Sequence, residues 1–395
     1  MRVLFIHFGP FDVNSVIQAF HFGEEMTEMG IEVTLCGRGD PGVIAVVGEP
    51  SFECINFESL RRKVREYKQQ PEETIICAWT PRERVRKATL GAAAQLDAPY
   101  VVHLEDNEEY LLSSALRVPY DVLRRLPPSR QDRLSSEDLI HPTHWVDLMK
   151  GAAGVTVITE ELNEFNFGGR PHHIARPGID SERFRPDLEP PVSREALGLR
   201  PEDFVLVYHG TAHYANGHEM LSLYLAVKLL QRRGQPVKLL RLGETELSGP
   251  DPRVFQALTD GVLELGSVPW RDVSRYLALA DAFVQPGAPD DFNRYRLPSK
   301  LPEFLAMGRP VVLPHCNIGH DLRDGEQALL LERGTALEIA DRIQQLIDDP
   351  ALAARLADGA RRFALENLSW HDNAVALAEF YRQVLASHRE HAVAV

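Results

Sequence analysis

An α/β protein of two doubly wound, parallel-sheet domains is what this sequence predicts, on three observations. Short apolar runs alternate with amphipathic stretches, 395 residues exceed what one core ordinarily holds, and the composition shifts across a proline- and charge-rich segment. Residues 3–7 read as a buried strand closed by a turn at Gly9 and Pro10. Residues 15–29 read as an amphipathic helix that Gly30 stops, and 31–36 as the next strand. Three further apolar runs, 74–78, 100–104 and 155–159, are separated by helical patterns, which places the strands parallel in a sheet covered on both faces. Residues 176–203 read as a linker. Beyond it, 204–208, 237–242, 282–285 and 310–313 repeat the pattern as strands of a second sheet. A long amphipathic helix, 370–387, either closes the second domain or crosses back to the first. The division expected is 1–185, 186–369 and a C-terminal helix within 370–395.

A net charge of -14 argues against nucleic acid as a partner and requires that an anionic ligand be met by a local positive feature. Cys36, Cys54, Cys77 and Cys316 show neither paired metal spacing nor a disulfide framework, as expected of reduced thiols in a cytoplasmic chain. The opening MRVLFIHFG is too short in its apolar run for a signal-peptide core, and no stretch reaches the roughly 18 apolar residues of a membrane span.

The chemistry points to RLPSKLPEFLAMGRPVVLP, residues 296–314. Ser299 is placed to cap a short helix, Pro302 falls in its first turn, and Gly308 ends it before a strand. In a parallel sheet such a helix starts at the edge where strands end and ligands bind. Its free N–H groups, the Ser299 hydroxyl and the Lys300 ammonium suit phosphate, and Glu303, one turn on, could accept two hydrogen bonds from a ribose diol. A glutamate in a first turn also complements the helix dipole without any ligand, and both readings stand at this point.

PSKLPEFLAMGRPVV resembles the donor-binding segment of group 1, or family 4, glycosyltransferases of the GT-B fold. Residues 151–165, 176–186, 265–287 and the C-terminal region are similar to the same family in the same order, over most of 151–387. Residues 1–150 agree in architecture more than in motif. The resemblance implies two Rossmann-like domains facing a cleft, with a nucleotide sugar held by the second. It implies donor-binding roles for His209, Gly210, Val268, Asp290, Asp291, Arg294, Arg296, Ser299, Lys300 and Glu303, with Gly9 allowing close backbone approach in the first domain. Two departures stand out. Eight positions before Glu303, where the family carries a second glutamate, this chain has Tyr295, so that Asp290 and Asp291 are the substitutes at hand. The usual lysine after the first strand of the second domain is absent from HGTAHYANGHEM (209–220), which offers Asn216 and His218. Lys300, with Arg294 and Arg296 nearby, is then the expected pyrophosphate partner.

In the first domain VHLEDNEEY (102–110) places His103, Glu105 and Asp106 after a strand. Relatives often carry a histidine about there, so the catalytic group is His103 or one of the two acids, unless 105–109 is a solvated loop. GRGDPG (37–42) has dinucleotide-loop spacing but lacks the helix that must follow, and reads as a turn. HPTHW (141–145) and HCNIGH (315–320) have histidines at suggestive spacings, but neither shows the carboxylate or cysteine partners of a full metal set, so no metal site is expected. RRKVREYK (61–68) and LRRLPPSR (123–130) read as solvated faces and as candidates for peripheral contact with an anionic membrane.

The resemblance implies a retaining, metal-independent glycosyltransferase without a cofactor, which moves a sugar from a nucleotide diphosphate to a hydroxyl acceptor. A nucleotide-sugar epimerase and a non-catalytic partner protein of the same fold are the alternatives.

Overall fold

The computed structural model describes residues 1–70, 73–213, 216–246, 258 and 261–393. The chain divides into two compact units, Met1–Pro177 with Trp370–Val395, and Gly178–Ser369.

The first unit holds a seven-stranded sheet formed by β1 (Arg2–Pro10), β2 (Glu32–Arg38), β3 (Glu53–Asn56), β4 (Thr74–Trp79), β5 (Tyr100–Leu104), β6 (Gly154–Val157) and β7 (His172–Ile174). All neighbours are parallel in the order 3-2-1-4-5-6-7. The helices are α1 (Asn14–Glu28), α2 (Phe57–Lys68), α3 (Glu83–Leu96), α4 (Glu108–Leu116), α5 (Tyr120–Arg125), α6 (Pro128–Leu134) and α7 (His144–Gly151). The central strands are near-continuous apolar runs because both of their faces are covered. Sequence reading missed β3 and β7, whose short, half-polar runs ECIN and HHI carry no apolar signal.

The second unit holds a six-stranded sheet of β8 (Phe204–His209), β10 (Val237–Leu242), β12 (Val262–Glu264), β13 (Ala282–Val284), β14 (Val311–Pro314) and β15 (Leu329–Leu331). Its order is 12-10-8-13-14-15, again parallel. A small parallel pair, β9 (Ala212–His213) with β11 (Thr245–Glu246), lies beside it. Helices α8 (Gly217–Arg232), α9 (Val273–Leu277), α10 (Lys300–Ala306), α11 (Ala336–Asp348) and α12 (Pro350–Asn367) cover the sheet.

The chain passes between units at Pro177–Gly178, where the sequence reading placed the change at 185. The reason is that the segment read as a linker is tied to the second unit from its start. Ile179 N–H donates to Leu368 O at 2.8 Å, Phe184 is buried, and Arg194 donates to Leu279 O and to Asp281 Oδ1 at 2.7 and 2.9 Å.

The last helix, α13 (Trp370–Val393), belongs to the first unit. Its buried residues Ala374, Leu377, Ala378, Tyr381, Val384 and Leu385 recur at helical spacing and join the core of α1, β1 and β4. The fit is close. Trp370 stacks on His21 at 4.6 Å, and a Cβ at Gly154 of β6 would come within 2.9 Å of Phe380. No helix of the described residues is long and apolar enough to cross a membrane. The basic stretch 61–68 lies within α2, where Leu60, Val64 and Tyr67 face the core and the arginines face solvent.

Leu377 is 1% exposed, so Leu377→Ala removes a fully buried side chain and leaves a cavity. Urea denaturation is expected to show a loss of about 2–5 kcal/mol in the first unit. A loss under about 0.5 kcal/mol would mean that this helix does not complete the core.

Candidate functional site

In the second unit the strand order reverses between β8 and β13, the place where parallel sheets open a crevice for ligands beyond their carboxyl ends. β8 ends at His209. Gly210 follows at φ +130°, a conformation that glycine alone takes without strain, and a Cβ there would lie 3.1 Å from Lys300 Nζ. The same Nζ lies 4.9 Å from the centre of the Tyr208 ring. Glu303 is buried in α10, with Oε2 2.6 Å from His209 Nε2. These two atoms are out of line for a hydrogen bond and are otherwise unpartnered among the described residues. The His209 ring is set edge-on to Phe304 at 5.4 Å, and Phe304 stacks on Phe283 of β13 at 4.4 Å. His209, Gly210, Lys300 and Glu303, all expected in one site, are thus brought together.

Arg183, in the segment read as a linker, is a further partly buried cation of this unit. Its guanidinium lies 4.2 Å over the Trp270 ring and donates to Trp270 O, while its Nε is buried with no partner among the described residues. Burial holds this guanidinium below the usual arginine range, and the charge of Glu303 opposes that. Val268 is half-buried two residues before Trp270.

Other candidates are engaged elsewhere. Ser299 stands at the N-cap of α10 with helical angles, φ −54° and ψ −25°, and its side chain makes no cap. Capping needs an extended backbone, whereas here the helix tightens through Leu301 N–H to Pro298 O at 2.9 Å. Arg296 is held by the buried Glu219 of α8, Nη2 to Oε2 at 3.1 Å, and by Asn293 Oδ1 at 2.8 Å. Its guanidinium also stacks 3.8 Å over Phe292. Arg294 lies 4.7 Å over the Tyr295 ring. Asp290 Oδ1 accepts from the backbone N–H groups of Phe292 and Asn293 at 3.1 and 2.9 Å, closing a turn, and Asp291 is exposed. Arg296, expected beside Lys300 as a pyrophosphate partner, is thus held by a buried carboxylate. Glu219 itself was missed because an acid in a first turn reads as a dipole complement. Burial raises its carboxyl pKa, which the Arg296 charge opposes. Asn216 is buried and donates to Thr211 O at 3.0 Å; His218 is exposed. Tyr214 and Ala215 of that loop lie outside the described residues.

In the first unit the order reverses between β1 and β4. The parallel register aligns His7, Trp79, His103 and Thr156 across four strands, on one face at the carboxyl edge. His7 Nδ1 accepts from Gly9 N–H at 3.0 Å, and His103 Nδ1 pairs with Thr156 Oγ1 at 2.9 Å. Burial lowers both imidazole pKa values to about 3, so both rings are neutral at neutral pH. Their Nε2 atoms are buried and unpartnered among the described residues. Thr80, just past β4, is held at φ +71°, a strained setting for a β-branched residue, with its hydroxyl buried and unpartnered.

Glu105 is buried, which overturns the solvated-loop alternative for 105–109; Glu108 beside it is buried on Arg82 at 3.2 Å. Glu105 Oε1 accepts from Trp79 Nε1 at 2.9 Å, Oε2 accepts from the Ser15 hydroxyl, and His103 Nε2 lies 3.9 Å from Oε1. Burial raises the Glu105 pKa to about 7, and the neighbouring charge of Asp106 adds to the rise. His7, Ser15 and Trp79 were missed by sequence reading, since alone they look like core and helix-start residues. Gly9 sits tightly, a Cβ there meeting Val13 at 3.0 Å and His7 at 3.2 Å.

The fold does bring a carboxylate to HPTHW: Asp132, His141 and His144 offer ligand atoms within 4.8 Å of one another. His141 Nδ1, however, accepts from the N–H groups of Thr143 and His144, both at 3.2 Å. In neutral imidazole that leaves the proton on Nε2, which donates to Asp132 at 3.3 Å. His141 thus serves as a cap for α7, a role that competes with metal ligation.

Residues 203–349 match the family model of glycosyl transferases group 1. Over 249 residues the chain is 30% identical to a D-inositol 3-phosphate glycosyltransferase of Rhodococcus opacus, covering 58% of this chain and 53% of that protein. It is 30% identical over 206 residues to the putative glycosyltransferase EpsD of Bacillus subtilis, covering 50% and 51%. The chain spans about half the length of these curated relatives. Among solved structures it is similar to Anabaena HepE in complex with UDP, with a TM-score of 0.71 at 17% identity over 97% of this chain and 100% of that one. It is also similar to WaaG, a glycosyltransferase involved in lipopolysaccharide biosynthesis, with a TM-score of 0.62 at 14% identity over 96% and 99%. At such identities the likeness shows the fold, two Rossmann-like units of the GT-B class.

The raised pKa of Glu105 has a sign that can be tested. The unfolded carboxyl ionises near 4.3 and the folded one near 7, so stability falls as pH rises between them and the full deficit remains above. Glu105→Gln is expected to flatten that decline in thermal unfolding between pH 4.5 and 8. A parallel decline in the variant would contradict it.

Proposed function

We propose, from the match of residues 203–349 to the group 1 glycosyl transferase model, that this chain transfers a sugar from a nucleotide-diphosphate sugar to a hydroxyl acceptor as a family 4 type, retaining enzyme. The observation that carries the reading is the cluster of Lys300, Gly210, His209 and Glu303 at the carboxyl edge where the strand order reverses. Lys300 supplies a local positive charge in a chain of net charge -14, beside a glycine where the backbone can approach a phosphate closely. Glu303 supplies acceptors for a ribose diol. With Arg296 committed to Glu219, Lys300 is the cation assigned to the departing diphosphate.

In the reaction, the bond from the anomeric carbon to the diphosphate oxygen breaks as the acceptor hydroxyl forms a new one, and negative charge grows on the leaving group. A fixed ammonium stabilises that charge more in the transition state than in the ground state, which is how it accelerates transfer without a metal. For the acceptor, the candidate groups are His103, Glu105 and Asp106, of which Glu105 can hold or release a proton near neutral pH. The UDP and UDP-glucose described for HepE support a nucleotide-sugar donor. We place the chain in the cytoplasm, where exposed Arg124, Arg125 and Arg130, with exposed Val122 and Leu134 beside them, suit peripheral contact with an anionic membrane.

One observation favours a second reading, a non-catalytic protein: Tyr295 replaces a carboxylate and Asp290 is consumed in a turn. A thermal-shift panel of UDP, GDP, ADP and TDP separates the two, since a ligand at about 100 times its Kd adds about 2.7 kcal/mol. Lys300→Ala is expected to lower kcat/KM roughly ten- to a hundredfold, the worth of one charge-assisted contact, at an unchanged Tm. Unchanged turnover in the folded variant would remove Lys300 from the mechanism.

A further inference from the structure

Glu303 differs from Glu219, another buried carboxylate of the second unit, in how it is held. Both oxygens of Glu219 are engaged, Oε1 by Asn293 at 2.6 Å and Oε2 by Arg296 at 3.1 Å, which is the pattern of a structural ion pair. Glu303 has one basic side chain in contact and no hydrogen bond to it: His209 Nε2 stands 2.6 Å from Oε2 but out of line, while the charges of Arg183 and Glu303 bear on each other. Three buried polar atoms, Glu303 Oε2, His209 Nε2 and Arg183 Nε, are thereby left without hydrogen bonds among the described residues. Such atoms are costly to leave buried unless something satisfies them.

Both basic groups are themselves fixed, Arg183 by the Trp270 ring and carbonyl and His209 by the edge of Phe304. They can therefore brace the carboxylate while its lone pairs stay available. We propose that Arg183 and His209 are positioning residues that hold Glu303 for both hydroxyls of a ribose, so that the site selects ribonucleotides over 2′-deoxyribonucleotides; this rests on the nucleotide reading above. A carboxylate whose plane is fixed can receive two hydroxyl donors at once. Remove one hydroxyl and a buried, charged acceptor is left unpaired, which is why such sites reject the deoxy analogue strongly. A carboxylate freed to turn can find another partner, and the discrimination fades while binding of the diphosphate persists.

The test is titration calorimetry with UDP, GDP and ADP to find the nucleoside diphosphate that binds the unaltered protein, then with its 2′-deoxy counterpart. The unaltered protein is expected to prefer the ribonucleotide roughly ten- to a hundredfold. In His209→Leu and in Arg183→Met the preference is expected to fall to about threefold or less. His209→Gln and Arg183→Lys, which keep a donor, recover part of it. Circular dichroism and Tm confirm that each variant is folded, and if a radical variant does not fold, its conservative partner is expected to show an intermediate ratio. An undiminished ratio in folded His209→Leu and Arg183→Met overturns the positioning role while the nucleotide site stands. Failure of every nucleoside diphosphate to bind the unaltered protein overturns the nucleotide reading itself, and the positioning role with it.

Discussion

Parallel pairing is the constraint from which the candidate sites derive. When every strand of a sheet runs the same way, all the strand ends that feed helices lie on one edge, and chemistry-bearing residues from distant parts of the chain gather there. Where the strand order reverses, connections leave toward opposite faces and the edge between them stays open. His209 and Gly210 stand on one side of such a point in the second unit, with the loop after β13 on the other. In the first unit the same geometry sets His7 and Trp79 on neighbouring strands, with His103 and Thr156 continuing the row. The two units solve one topological problem twice and furnish the solution with different side chains.

Electrostatics then sorts the buried acids. A carboxylate removed from water is tolerated when donors surround it, and Glu219 meets that condition with Arg296 and Asn293, as Glu108 does with Arg82. Glu105 meets it only in part: two neutral donors, an indole and a hydroxyl, favour its ionised form less than a guanidinium would, and its proton is retained to about neutrality. These are different chemical instruments made from one residue type. The sequence letters are identical in all these positions; only the company each side chain keeps distinguishes a brace from a proton carrier.

This explains what could be read before the fold was known. The strands from 100–104 and 237–242 were legible to the residue because continuous apolar runs bounded by turns leave little freedom, and the cluster at Lys300 and Glu303 was legible because it is contiguous in sequence. The contact of Arg183 with Trp270 was not, because it joins a charged, proline-rich stretch that looks solvated to a residue 87 positions away. The commitment of Arg296 to Glu219 was equally hidden, since it joins two helix-start regions whose meeting depends on the sheet between them. Ser299 shows the opposite failure: a residue type that favours capping stands in the capping position, yet its backbone is helical and no cap forms.

The return of α13 to the first unit has a consequence for synthesis. A ribosome delivers residues 178–369 in full before it delivers the element that covers the sheet face of Val3, Phe5 and Cys77. The second unit therefore has all its parts while the first, although begun earlier, still presents an apolar face to the surrounding solution. The order of completion is the reverse of the order of translation. Until the last helix has been made and released, the first unit keeps an open core, and it is in that interval that a chaperone or an aggregating neighbour would find its target.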